Sequence, residues 1–241
     1  MSESADDSVS NRSKRLRRIS LSLLIAVCVL LLYNLTTHSV MNRYDNSLKR
    51  DPETGIVIGA EPISIGPESS NTAILFVHGF VGARDNFWEI PQRLADQGYR
   101  VRLMLHAGHG TTPEDFANTP RDDLLKHVLS EIRELKKNHD RIILISHSMG
   151  GALSTLAAAQ EEVDGLVLGA PYFKVTYQWY YILPVEVWNR ITSPFVKRVY
   201  KANAFVRVKR PEAKPNIYSY RWIPAEATET LMYIGALASD P

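Results

Sequence analysis

The chain has 241 residues, 45% apolar and 22% charged, which fits a folded globular protein of one or two domains. These values exclude a disordered tail, a collagen-like rod and a polytopic membrane protein. With 28 basic and 26 acidic side chains the net charge is +2, so no global field draws in nucleic acid, and the lone cysteine, Cys28, excludes an intrachain disulfide and a cysteine-built zinc site.

Residues 1–18 are polar and end in a basic cluster, Arg12, Lys14, Arg15, Arg17 and Arg18. Residues 19–35, ISLSLLIAVCVLLLYNL, carry no charge; at 17 residues they reach the short end of what crosses a bilayer core. A cleaved signal peptide would show a shorter apolar run and small residues at a cleavage site. Thr36 to Val40 lack that pattern, so an uncleaved signal anchor is the favoured reading and a cleaved peptide the other. The run has no polar face, which argues against a buried core helix. Arg43, Lys49 and Arg50 follow the run at greater distance. The positive-inside rule then puts the N-terminus in the cytoplasm and the rest on the outer, periplasmic or extracytoplasmic, side. Residues 36–53 read as a polar linker.

From residue 54 the pattern changes. GIVIGAEPISI (55–65) suggests a strand or bent hairpin. TAILFVHGF (72–80) is a continuous apolar run, as in a strand buried on both faces. A helix is predicted through FWEIPQRLADQ, stopping at Gly98, and a strand through 99–108. Thr119 and Pro120 open the next helix as N-cap and first residue, and Leu124, Leu125, Val128, Leu129, Ile132 and Leu135 form its apolar stripe. RIILISH (141–147) is a buried strand, MGGALSTLAAAQ (149–160) a small-residue helix and GLVLGAP (165–171) a fourth apolar strand. Alternating strands and helices predict an α/β fold with a mostly parallel sheet covered by helices, and a ligand site at the carboxyl ends of the strands.

Two strand ends carry chemistry. In Ser146-His147-Ser148-Met149-Gly150-Gly151 a buried strand ends, a serine sits at the turn and a helix starts at once. That is the setting of a nucleophile elbow, which needs small residues two before and two after the serine; here they are Ser146 and Gly150. Ser148 is the candidate nucleophile. The Met149 N–H, at a helix start, is one candidate oxyanion donor, and Phe80, after His78-Gly79, supplies the second. His106 and His109 lie in a His/Gly-rich loop, but two histidines three apart without a third ligand make a poor metal site, so the loop reads as the rim of a pocket.

These motifs resemble the α/β-hydrolase superfamily. HGF (78–80), GHGTTPEDF (108–116), SHSMGG (146–151) and GAEPISI before the strand at 72 match it in order and spacing. The resemblance covers 55 to about 172 and is nearest to carboxylesterases, monoacylglycerol lipases and lysophospholipase-like or serine aminopeptidase-like hydrolases. It implies Ser148 as nucleophile, Phe80 and Met149 as the oxyanion hole, no cofactor, and an ester or lipid substrate. It implies no base role for His78, His109 or His147. Peptidase, thioesterase and lipase chemistry would use the same residues.

In this superfamily the acid and then the histidine follow the serine. The seven histidines stand at 38, 78, 106, 109, 127, 139 and 147, so none follows Ser148. The base and acid are therefore expected outside this chain. A fragment of a longer enzyme, a truncated product and a non-catalytic binding or scaffold relative are the three accounts of that. Residues 172–235 hold 14 of the 22 aromatic residues, with prolines at 184, 194, 211, 215 and 224. They resemble a helical cap or lid, spanning 172–241, whose aromatic lining suits an acyl chain or simply packs cap on core. Lys209, Arg210 and Lys214 are candidates for lipid headgroups or plain solvation.

Overall fold

The computed structural model describes residues 3–176, 178, 179, 182–201 and 220–240, with side chains from Lys14 onward. The candidate headgroup residues Lys209, Arg210 and Lys214, and the aromatics Tyr177, Tyr180, Tyr181, Phe205 and Tyr218, lie outside the described residues. The chain divides into two units, one ending at Arg43 and one starting at Tyr44.

The first unit is built on helix α1 (Glu3–Asp45), which runs beyond the apolar run 19–35 at both ends. Its stretch Lys14–Asp45 is long and apolar enough to cross a membrane. Part of the stretch read as a linker is thus helical. From Asp45 the chain enters tight turns: the Asp51 carboxylate accepts bonds from the Glu53 and Thr54 amides and the Thr54 hydroxyl. Arg50 and Val57 form a β-bridge, and the Val57 N–H donates to Gly110 O.

In the second unit β1 (Ile63–Ile65), β2 (Thr72–Val77), β3 (Arg100–Leu103), β4 (Arg141–His147) and β5 (Gly165–Gly169) make one sheet, ordered β1-β3-β2-β4-β5. Only β1 is antiparallel. The alternation at 55–65 yields a strand over its last three residues alone. β2 is buried on both faces, which explains its unbroken apolar run. Ala73, Leu75 and Val77 pack into one cluster with Leu124, Val128 and Leu153, and Ile74 and Phe76 pack on the other face with Phe87 and Ala95.

The helix predicted through 87–97 is shorter: α2 (Ile90–Asp96) follows a single 3-10 turn. Helix α4 (Arg121–Lys136) buries Leu124, Val128, Leu129, Ile132 and Leu135, each worth about 1.5–3 kcal/mol, and Arg102 grips Glu131 on it with two bonds of 2.9 and 2.8 Å. A helix unforeseen in the sequence, α3 (Pro113–Asn118), precedes it, and this corrects the expected cap of α4. Thr119 is the C-cap of α3, its hydroxyl donating to Asp115 O, and Pro120 occupies the N-cap position of α4.

Helix α5 (Met149–Ala158) follows β4 after one residue. Beyond β5 the expected cap stretch is not helical throughout. It contains α6 (Val185–Thr192), a two-stranded antiparallel ribbon of β6 (Arg198–Tyr200) and β7 (Trp222–Pro224), and α7 (Ala225–Ser239). Ala227, Ile234 and Ala238 of α7 and Tyr220 join the main core, so these residues pack cap on core. Arg198 ties the ribbon to α3 through Glu114 at 2.9 Å.

Candidate active site

The carboxyl ends of β2 and β4 lie side by side, with Val77 in register with Ser146. Ser148 falls between β4 and α5 with φ +55° and ψ −120°, a conformation that costs an L-residue about 1–3 kcal/mol. Its backbone is held from several sides. The Ser148 N–H donates to Gly169 O at 3.0 Å, and the Ser148 C=O accepts from Gly151 and Tyr172, both at 2.9 Å. The strain is thereby over-determined by β5 and α5. Ser146 is buried, and its hydroxyl donates to Val167 O at 3.3 Å. Gly150 is the tight point: a Cβ there would stand 2.1 Å from Val77 O and 2.5 Å from His78 O.

Gly79 brings the loop after β2 against the serine. A Cβ on Gly79 would lie 3.1 Å from the Ser148 Cβ and 3.1 Å from His147 Nδ1. Met149 follows Ser148 directly, at the first position of α5, and Phe80 follows Gly79, the residue that approaches the serine. Among the described residues neither the Phe80 nor the Met149 N–H has a hydrogen-bond acceptor. Donors left open at a helix start and a loop suit a transient oxyanion.

His78 packs on His106 and His109, with ring centroids 4.3 Å and 5.3 Å away, but among the described residues no group of side chains is arranged to hold a metal ion. The nitrogens hold backbone. The His106 N–H donates to His78 Nε2 at 3.1 Å, so His78 carries its proton on Nδ1, which donates to Gly79 O at 2.9 Å. His106 Nε2 donates to His78 O at 2.9 Å. His109 Nε2 accepts from the Val81 N–H at 3.3 Å, and its Nδ1 donates to Ala107 O at 3.1 Å. The cluster fastens loops together.

Burial, and then the neighbouring imidazoles, push His78 and His109 down to about 3; burial and the His78 ring push His106 well below its ordinary value. All three are neutral in the folded protein at neutral pH. The unfolded chain takes up their protons near 6.5, so stability is complete above that pH and falls as pH drops toward 3. Between pH 7 and pH 5 each histidine is expected to remove about 1–2 kcal/mol. Near pH 5, unfolding in urea should draw about three protons onto these histidines, and His109→Gln should lower the total uptake by about one. An unchanged count in the variant would contradict the assignment. His147 is also lowered, by partial burial of its ring and then by the Lys201 charge.

A parallel sheet with crossover helices, a serine on a strained strand–helix turn and donors at the adjoining strand end define the α/β-hydrolase class. The chain belongs to the family described as Hydrolase_4, serine aminopeptidase S33, whose model matches residues 68–222. It is 33% identical over 113 residues to a thermostable monoacylglycerol lipase of Bacillus sp. strain H-257, covering 46% of this chain and 44% of that protein. It is 27% identical over 101 residues to a carboxylesterase of Bacillus subtilis strain 168, covering 42% and 41%. The chain spans less than half the length of these curated relatives. Among solved structures, a metagenome-derived lipolytic enzyme superimposes with a TM-score of 0.65 at 24% identity, over 76% of this chain and 71% of that one. Monoglyceride lipase of Saccharomyces cerevisiae does so with a TM-score of 0.59 at 15% identity, over 79% and 68%. Both structural likenesses concern the fold.

Proposed function

We propose that the protein is a membrane-anchored serine hydrolase that cleaves carboxylic esters, lipid esters among them, through an acyl-enzyme on Ser148. The observation that carries this reading is Ser148 itself, held at φ +55° between β4 and α5, with the Met149 and Phe80 N–H groups lacking an acceptor among the described residues. Ser148 Oγ attacks the ester carbonyl and loses its proton to a base. The carbonyl oxygen becomes an oxyanion facing the Phe80 and Met149 amides. The alcohol leaves with that proton, and water, activated by the same base, releases the acid. The relatives named monoacylglycerol lipase and carboxylesterase support an ester substrate.

The base and its orienting acid come from sequence outside these 241 residues. No histidine follows Ser148, and of the upstream ones His78, His106 and His109 already use nitrogens to hold backbone. β5, at one edge of the sheet, leaves Val167 53% exposed. Residues 19–35 serve as the anchor within Lys14–Asp45, with the basic cluster cytoplasmic and the hydrolase unit on the outer side. Residues 172–241 act as the lid.

An alkyl fluorophosphonate, incubated with the protein as its gene encodes it, should leave one adduct on the tryptic peptide bearing Ser148. Absence of that adduct, with retained binding of fatty acyl ligands, would favour the other reading, a membrane-held acyl-ligand binding or scaffold protein. That reading is motivated by the same lack of a histidine after Ser148.

A further inference from the structure

The turn that carries Phe80 holds a conformation its own residues disfavour. The Gly82 N–H donates to Gly79 O at 3.2 Å, closing a β-turn with Phe80 and Val81 at its centre. Val81 has φ +57°, the mark of a type II turn at a position that asks for glycine or asparagine. A β-branched residue in that region is an outlier costing about 1–3 kcal/mol. By local preference Phe80-Val81 would form a type I turn, in which the central peptide is flipped over.

What opposes the flip comes from elsewhere in the chain. The Val81 N–H donates to His109 Nε2 at 3.3 Å, and the Val81 C=O accepts from the Tyr220 N–H at 3.2 Å. His109 is itself fixed. Its Nδ1 bonds Ala107 O, its ring lies 4.1 Å from Phe116, and Phe116 stacks on Tyr220 at 9° between planes. Tyr220 returns to the same loop, its hydroxyl donating to Gly108 O at 3.0 Å. Val81 and His109 are both buried, so water does not substitute for a lost bond and an abandoned amide pays its full desolvation cost.

We propose that His109 is a positioning residue: its Nε2 lone pair pins the Val81 amide in the strained turn and so holds in place the loop whose Phe80 N–H serves the carbonyl that Ser148 attacks. This rests on the serine hydrolase reading above. His109 touches no reacting atom, and its imidazole works as a neutral acceptor. A flipped turn would swing the Phe80 carbonyl toward that lone pair, and the loop would shift to relieve the repulsion.

The test compares His109→Phe, which keeps an aromatic ring without the acceptor, with His109→Gln, whose amide oxygen reaches the place of Nε2. Both are made in the protein as its gene encodes it. In His109→Phe, amide exchange in the 79–82 turn should quicken by at least about tenfold. Phosphonylation of Ser148 should slow by about 100-fold, as for a lost oxyanion donor, while KM for a short-chain ester changes by less than about threefold. His109→Gln should recover both rates to within about fivefold of the parent. In the unaltered protein, imidazole nitrogen shifts should report a proton on Nδ1 of His109, a reading that needs no variant to fold. A proton on Nε2, or unchanged exchange in His109→Phe, overturns the clamp. Faster exchange with an unchanged phosphonylation rate overturns its link to the oxyanion site. Labelling that persists in Ser148→Ala instead removes the hydrolase reading, while the tautomer and exchange results still decide whether the clamp exists.

Discussion

Ser148→Ala is expected to lower ester hydrolysis by about 10⁴- to 10⁶-fold in kcat while leaving the fold intact. On the proposed mechanism the variant loses its nucleophile, while the proposed oxyanion donors remain and sustain only residual catalysis. Stability should hardly change, because alanine inherits the same left-handed conformation and the same backbone bonds to Gly169, Gly151 and Tyr172. Ser148→Gly separates the two effects. It is equally inactive, yet glycine adopts φ +55° without a Cβ penalty, so unfolding should require about 1 kcal/mol more. Thermal or urea unfolding of both variants beside kinetic assays checks this. A serine kept under strain that glycine would relieve is a cost tolerated for chemistry; a Ser148→Gly protein no more stable than the parent would remove that argument.

The parts of the fold read correctly from the sequence are those where one force dominates. β2 and β4 are unbroken apolar runs because helices cover both faces of the sheet, and the stripe of α4 follows the helical repeat. The misplaced cap shows where local signals fail. Thr112-Pro113-Glu114-Asp115 and Thr119-Pro120-Arg121-Asp122 spell nearly the same helix start. Only the first becomes a capping box, with Thr112 and Asp115 exchanging bonds. The second threonine is spent closing α3, whose last residue, Asn118, adjoins it. Glu114 in the first turn, where the second stretch has Arg121, was the available clue to α3.

The strand–turn–helix setting of Ser148 was legible because β4, the turn and α5 are contiguous in sequence. The histidine cluster was not. His78 and His106 meet only because β2 and β3 pair in parallel, placing residues 28 apart in sequence at adjacent strand ends. Tyr220 is further still, and nothing near it in the chain announces that its amide meets Val81. Long-range bonds of this kind have no local pattern, whereas Val81 at positive φ is visible only once the backbone is known.

The largest structural effect is expected at Gly150, where Gly150→Ala should cost about 3 kcal/mol or more in folding free energy. The added methyl would stand 2.1 Å from Val77 O and 2.5 Å from His78 O, both backbone atoms. No rotamer change relieves that contact. Val77 belongs to β2, which is paired on both sides by β3 and β4, so the strand cannot yield without breaking sheet bonds. Helix α5 must move instead, carrying the Met149 amide away from the loop of Phe80. A shift of about 1 Å there is enough to slow acylation by about 100-fold. Gly165→Ala is the matched control, since its Cβ would meet only the Ile143 side chain, at 3.4 to 3.9 Å, ordinary contact. That variant should stay within about 0.5 kcal/mol of the parent, with an unchanged phosphonylation rate. Equal stability of the two variants in urea would show that strand and helix are less closely apposed at the elbow than the 2.1 Å contact requires.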